Sequence, residues 1–297
     1  MGTAGRPAVG GQQLDKRRHA FRNDLAAIEL EGLVDAPRFV EGVVKRVARG
    51  SVPLRSLADE RAGYDSELLY GEPFMVYDQK DGWAWGQALR DRYVGYVRAD
   101  VLGAANGVTS HKVAACSTFL YPAADIKTPP IAALPMNAEL AVADLGEIFS
   151  RLNNGGYIIS SHIVPSSFKA SDFVAVAESF IGSPYLWGGR THGGIDCSGL
   201  VQVSLQAAGV GAPRDSDMQR LELGEAVLVR DDLSGLQRGD IVFWKGHVGI
   251  LASPVALLHA NAHHMTVVVE PLAEAVGRIS AGGSEILSIR RLATPMA

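Results

Sequence analysis

The 297 residues contain only two cysteines, Cys116 and Cys197. Two thiols far apart along the chain exclude the disulfide-stapled scaffold of small secreted proteins and fit a reducing compartment. An excess of one charge is also missing: 28 Lys and Arg stand against 32 Asp and Glu, a net charge of −4. That balance gives no electrostatic reason to bind nucleic acid or an anionic membrane, so neither is expected as a partner. Long apolar runs are absent too. The most apolar late stretch, Ile241 to Ala260, is interrupted by Lys245, His247 and Pro254. It falls short of the roughly 20 apolar residues that cross a bilayer. Lys16-Arg17-Arg18 leads into mixed, charged sequence rather than an apolar segment with a cleavage site, so no secretory leader is read. These absences predict a soluble cytoplasmic protein. What is present is 47% hydrophobic residues, enough for well-buried cores, in a chain long enough for two or three domains.

Residues 12 to 36 mix charges with Phe21, Leu25, Ile28 and Leu33 at spacings of a short amphipathic helix. From Val40 the pattern turns to short β-branched or alternating runs broken by Gly, Asp and Pro, the rhythm of small all-β barrels. A weak repeat follows. Leu54-Arg55, Gly82-Trp83 and Tyr93-Val94-Gly95-Tyr96-Val97 have counterparts at Leu120-Tyr121, Gly146-Glu147 and Gly156-Tyr157-Ile158. The offset drifts, which suits two diverged copies of one fold rather than a solenoid. Pro165 and Ser166-Ser167 mark the next boundary. Beyond it, Ser171-Asp172 caps a helix running to Phe180, and a Gly-rich loop leads into a second helix, Cys197 to Ala208, stopped by Gly209. The remainder reads as strands at Ile241–Trp244, His247–Leu251, Val255–Asn261 and Met265–Glu270. Helices followed by strands give an α+β class.

Cys197, His247 and His259 are the residues that carry chemistry. A thiol nucleophile needs a base and a group that orients the base. Cys197 opens a predicted helix, where unpaired N–H groups and the dipole are expected to lower its pKa and to contribute to an oxyanion hole. A hairpin centred on Ser253 sets His247 directly opposite His259, on one face of the sheet. Zinc held by the same three side chains is the competing chemistry. A helix N-terminus disfavours a cation, and no CxxC or HxxxH pair supplies further ligands, so neither metal nor cofactor is expected. Asp196 opposes thiolate formation beside it and is read either as a helix N-cap or as the partner of a substrate cation.

Gly71-Glu72, Gly82-Trp83-Ala84-Trp85 and Gly95-Tyr96-Val97 resemble a bacterial SH3 domain, and the second copy does so more loosely. Ser183-Pro184-Tyr185-Leu186-Trp187-Gly188-Gly189, Asp196-Cys197-Ser198-Gly199-Leu200-Val201, Pro213-Arg214-Asp215-Ser216, Gly239-Asp240-Ile241-Val242-Phe243 and Gly246-His247-Val248-Gly249-Ile250 resemble the NlpC family of papain-like cell-wall peptidases. The resemblance implies an N-terminal arm with a short helix (1–36), SH3-like domains at 37–105 and 106–166, and a papain-like catalytic domain at 167–297. It implies a γ-D-glutamyl-L-diamino acid endopeptidase that trims recycled murein peptides with a free N-terminal L-Ala. Cys197 would be the nucleophile, His247 the base and His259 the orienter. Asp196 and the Tyr93 hydroxyl would grip the free amine, helped by an acid of the first barrel, Glu67 or Glu72. Tyr185 and Trp187 would line the pocket, and Ser198 and Ser216 would bind the D-glutamate carboxylate. Arg214 either supports that carboxylate or braces its loop. The implied partner is a small murein-derived peptide. A murein-binding protein with an inert catalytic domain and an amidase or acyltransferase on the same scaffold are the alternatives. Oligomeric state and preferred diamino acid are left open.

Overall fold

A computed structural model describes residues 14–105, 107–228, 230 and 232–293. Residues 1–13 of the arm and 294–297 at the other end, both within the expected domain ranges, lie outside the described residues. In the first barrel a five-stranded sheet runs in the order Val94–Arg98, Trp83–Ala88, Pro73–Lys80, Val43–Val47, Leu102–Ala104, with Ser51–Leu54 and Ser66–Leu69 paired beside it. Strand alternation decides what each face meets. Ala84 and Ala88 point inward to Val47, Leu54, Leu68, Phe74 and Val97, while Trp85 points outward.

The N-terminal arm covers that outward face, but not as the expected amphipathic helix. Only a 3-10 turn at Ile28–Leu30 and a short strand at Ala26–Ala27, paired with Phe39–Val40, form there among the described residues. Ala20, Leu25, Ala27 and Leu30 pack on Tyr77 and Trp85, whereas the predicted helix residues Ile28 and Leu33 are exposed. The buried set does not follow a 3.6-residue period. Its backbone groups bond to neighbouring chain instead of to the next turn, as in Ala26 N–H to Arg38 O and Val94 N–H to Arg17 O. Arg22 then lies over Trp85, 4.5 Å from the ring centre.

The second barrel pairs Ala132–Pro135, Ser117–Tyr121, Tyr157–Ile159, Phe149–Leu152 and Val142–Asp144, closed by a three-stranded sheet around His111–Val113. Its core is Val113, Leu120, Leu134, Leu140, Leu152 and Ile158.

The last third is helix-first. α1 (Phe173–Glu178) is capped by Asp172, which accepts from the Val174 and Ala175 N–H groups. α2 (Cys197–Ala207) packs on strands His247–Ser253 and Ala256–Asn261 of a six-stranded antiparallel sheet, ordered Glu225–Val227, Ser288–Arg291, Ile241–Trp244, His247–Ser253, Ala256–Asn261, Thr266–Pro271. Every residue of α2 from Cys197 to Leu205 is buried, so the helix has no solvent face. Its polar side chains bond within the protein, although Gln202 Oε1 is buried without a partner. Gln202 donates to Asp91 of the first barrel and to Ala212 O, and the Ser204 hydroxyl donates to Leu200 O. The expectation of strands alone after α2 is corrected by α3 (Ser216–Glu222) and α4 (Leu272–Ala281). Pro271 immediately before Leu272-Ala-Glu-Ala-Val was the available helix-start signal.

Candidate active site

Cys197 begins α2, and the preceding Asp196 fixes the loop around it. Asp196 Oδ1 accepts from the Gly199 N–H at 2.7 Å and the Ser198 hydroxyl at 3.3 Å. Its Oδ2 accepts from the Gly188 N–H at 2.8 Å and Arg214 Nη2 at 2.7 Å. The cation facing Asp196 is therefore already in place, and the carboxylate is a helix cap as well. Gly188 has φ 80, and a Cβ there would collide with Tyr64 of the first barrel, so this approach of loop to barrel requires glycine.

Burial drives the Cys197 thiol up to about 12, with Asp196 adding to the rise. The Val248 and Ser198 N–H groups and Arg214 pull the other way and lose. The helix N-terminus does not deliver the low thiol pKa expected of it, because desolvation in a nearly closed site outweighs it.

His247 starts its strand after the Lys245-Gly246 turn, opposite Trp244, whose ring lies 5.7 Å from the imidazole. Its Nε2 is 2.8 Å from His259 Nδ1. The pairing behind this contact is not the predicted one. Ile250 faces Leu258 and Leu251 faces Leu257, with an irregularity before Ser253 and Ala256. This register is displaced by two residues from the predicted one, which keeps both histidines on the same face. They meet diagonally, and Gly249 lies beside His259. A Cβ at Gly249 would stand 2.7 Å from Leu257 Cδ1 and 3.2 Å from His259 Cβ. Gly249→Ala is expected to cost about 1–3 kcal/mol of stability. It should also lower kcat by about tenfold or more by displacing the His259 ring. Chemical denaturation and steady-state kinetics on the same variant check both effects.

Burial lowers His247 to about 3, with His259 and Arg278 contributing and Glu270 opposing. Burial likewise lowers His259, against the pull of Glu270. The resting pair is thus a neutral thiol and a neutral imidazole. The folded chain refuses a proton that the unfolded chain accepts at 6.5, so His247 makes stability fall as pH drops from 6.5 toward about 3. Activity measured as kcat/KM should keep its plateau well below pH 6.5, because the base stays unprotonated there. An acid limb centred at the ordinary imidazole value would contradict this environment.

One cavity of about 340 Å³ gathers Tyr93, Tyr185, Trp187, Asp196, Cys197, Ser198 and Ser216 with Gly246. Trp187 is exposed, at 67%. Arg214 is not on its wall. It is 1% exposed and donates to Asp196, to Ser198 Oγ at 2.8 Å and to Ser66 Oγ at 3.1 Å. Of its two readings, the brace describes these contacts.

Neither Glu67 nor Glu72 reaches the cavity, which corrects the choice offered between them. Glu67 accepts from the Arg190 N–H, and Glu72 lies between Arg190 and Arg90. The first barrel's acid on the cavity wall is Asp65, whose Oδ2 is buried without a partner. Asp215, Asp217 and Arg17 complete the lining and were not anticipated. Arg17 donates to Asp215 Oδ2 and to Asp217 Oδ2, each at 2.8 Å, and the Tyr93 hydroxyl donates to Asp215 at 3.0 Å. Burial and then Asp215 raise the Tyr93 phenol, so it stays a donor. Asp215 precedes α3 yet makes no side-chain cap bond, because Arg17 and Tyr93 occupy it. Among the described residues, no group of three or more His, Cys, Asp or Glu side chains is placed to hold a metal ion.

The model of the NlpC/P60 family matches residues 182–278, which span Cys197, His247 and His259. The chain carries an NlpC/P60 domain. The family is one of cysteine peptidases. Ahead of the NlpC/P60 domain, residues 54–102 match the bacterial dipeptidyl-peptidase Sh3 domain. A gamma-D-glutamyl-L-lysine dipeptidyl-peptidase of Bacillus subtilis is 26% identical over 268 residues, 80% of this chain and 86% of that one. A Bacillus cereus protein of the same name is 32% identical over 130 residues, 41% of this chain and only 37% of its relative's length. The crystal structure of an NlpC/P60 family protein from Bacillus cereus superposes with a TM-score of 0.71 at 20% identity. It covers 84% of this chain and 99% of that one, a likeness of fold.

Proposed function

We propose that the protein is a cysteine peptidase that cleaves the γ-D-glutamyl–diamino acid amide of murein peptides bearing a free N-terminal L-Ala. We place it in cytoplasmic recycling of cell-wall peptides, where its thiol nucleophile stays reduced. The names of the Bacillus relatives support the bond and substrate class. The observation that carries the reading is the cavity itself: Cys197 shares it with Asp65 and Tyr93 of the first barrel and Arg17 of the arm. A partnerless buried carboxylate oxygen on that wall attracts a compact cation such as a terminal amine. A wall built from another domain suits a chain end rather than a long strand passing through.

In this mechanism His247 takes the Cys197 proton as sulfur attacks the γ-carbonyl, because the neutral resting pair makes prior ionisation uphill. The backbone N–H groups at the start of α2 are the donors proposed for the oxyanion. Collapse of the tetrahedral intermediate breaks the C–N bond, and the proton on His247 goes to the leaving amine of the diamino acid. Water, deprotonated by His247, then releases the acyl group from sulfur. Ser198 and Ser216 are the groups proposed for the D-glutamate carboxylate, with Tyr185 and Trp187 along the pocket wall.

Mass spectrometry of products from L-Ala-γ-D-Glu-meso-diaminopimelate tests bond and end preference together. L-Ala-D-Glu and free diaminopimelate are expected, with the N-acetylated peptide cleaved far more slowly. Cleavage between L-Ala and D-Glu, or indifference to acetylation, would overturn the reading.

A further inference from the structure

Both ring nitrogens of His259 are engaged. Nδ1 faces His247 Nε2 at 2.8 Å, while Nε2 lies 2.6 Å from Glu270 Oε1 and 2.9 Å from Asn261 Nδ2. A neutral imidazole carries its proton on one nitrogen and accepts on the other. Without a proton, Nε2 would set its lone pair against a carboxylate oxygen at 2.6 Å. With one, it donates to Glu270 and leaves Nδ1 as the acceptor. His247 Nε2 must then be the donor, so His247 Nδ1 carries no proton and is the nitrogen left for the thiol. The opposite tautomer reverses every bond in the chain and puts a proton where the base must act.

Asn261 favours that opposite tautomer. Its Oδ1 is held by the His264 N–H at 2.7 Å, which turns the amide nitrogen toward His259 Nε2. The Glu270 carboxylate decides the contest, and Arg278 fixes it by donating to both of its oxygens, to Oε2 at 2.7 Å and to Oε1 at 2.5 Å. Charged or titratable groups facing His259 are Glu270, Arg278, His247 and His264. Glu270 stays ionised: burial would raise it, but the bonds from Arg278 and His259 bring it down to about 2.

We propose that Glu270 is a positioning residue that sets the tautomer of His259 and thereby leaves His247 Nδ1 free to take the Cys197 proton. This rests on the cysteine-peptidase reading of the site. It adds a fourth member to the Cys197–His247–His259 series, one that acts through His259 and touches no substrate.

Glu270→Ala separates this role from a structural one. With the carboxylate gone, the Asn261 amide controls His259 Nε2 and imposes the wrong tautomer. The expected result is a fall in kcat on the order of 100-fold or more at nearly unchanged KM. Nitrogen-15 NMR should show the His259 proton on Nε2 in the native protein and on Nδ1 in the variant. Alkylation of Cys197 by iodoacetamide, in a Cys116→Ser background, should slow in parallel. Adding Asn261→Asp to Glu270→Ala should restore turnover by returning a carboxylate to that nitrogen. Native turnover in Glu270→Ala, or a native His259 protonated at Nδ1, overturns the proposal. The NMR and alkylation readouts use no peptide, so they stand apart from any failure of the proposed substrate.

Discussion

Replacing Cys197 by Ala is expected to abolish peptide hydrolysis, a loss on the order of 10⁴-fold or more, with the unfolding midpoint shifted only slightly. The two halves of that expectation come from different features. The thiol is the nucleophile of the proposed reaction, and the other cysteine, Cys116, donates to Ser179 and does not line the cavity. The fold around Cys197, by contrast, is held by Asp196, Arg214 and the Gly188 backbone, none of which needs the sulfur. An alanine leaves the α2 cap intact and removes one small apolar group from the core. Steady-state assay and thermal unfolding of the same sample give both numbers. Retained turnover would remove Cys197 as the nucleophile, whereas loss of folding would show that the thiol supports the structure.

The cysteine and two histidines were legible because each sits in a short local pattern: a helix start for Cys197 and one hairpin for the imidazoles. The hairpin's face was readable while its register was not. Side chains alternate with period two, so a two-residue displacement from the predicted pairing preserves the face and still brings His247 to His259. What fixes the actual register is the turn near Ser253 and the space left by Gly249, and neither is encoded in apolar alternation. The arm failed as a helix for a related reason. Its apolar spacing was compatible with one, but Trp85 and Tyr77 offered a surface that an extended segment covers better.

The acids were the least legible. Glu67 and Glu72 sit in the first barrel near its most recognisable residues, and Asp65 is only two positions from Glu67. One long-range partner assigns them opposite fates. Arg190, from the loop before α2, captures Glu67 and Glu72, and Asp65 is left on the cavity wall. Arg17 and Asp215 could not be paired from sequence because they come from an arm and a loop in different domains. Sequence therefore located the candidate reacting groups, and tertiary structure located the charges beside them that would recognise a substrate end.

Removing the Glu72 carboxylate should strongly destabilise the molecule. Glu72 is 1% exposed and bridges Arg190 at 3.1 Å and Arg90 at 3.2 Å, while also accepting from the Leu69 N–H. Burial alone would raise its carboxyl, but the two guanidinium groups outweigh that and hold it below its ordinary value. Glu72→Ala leaves Arg190 without its ion-pair partner inside the joint between barrel and catalytic domain, an uncompensated charge worth about 3–5 kcal/mol. The loop that carries Arg190 also carries Gly188, whose N–H holds Asp196, so the loss should reach the active site as a raised KM. Denaturant unfolding should show the lowered midpoint. Glu72→Met with Arg190→Met should recover much of it, since the pair is costly to break but cheap to replace by packing. If the double variant were as unstable as the sum of the single ones, the two residues would not be coupled and the joint would be held by its apolar contacts instead.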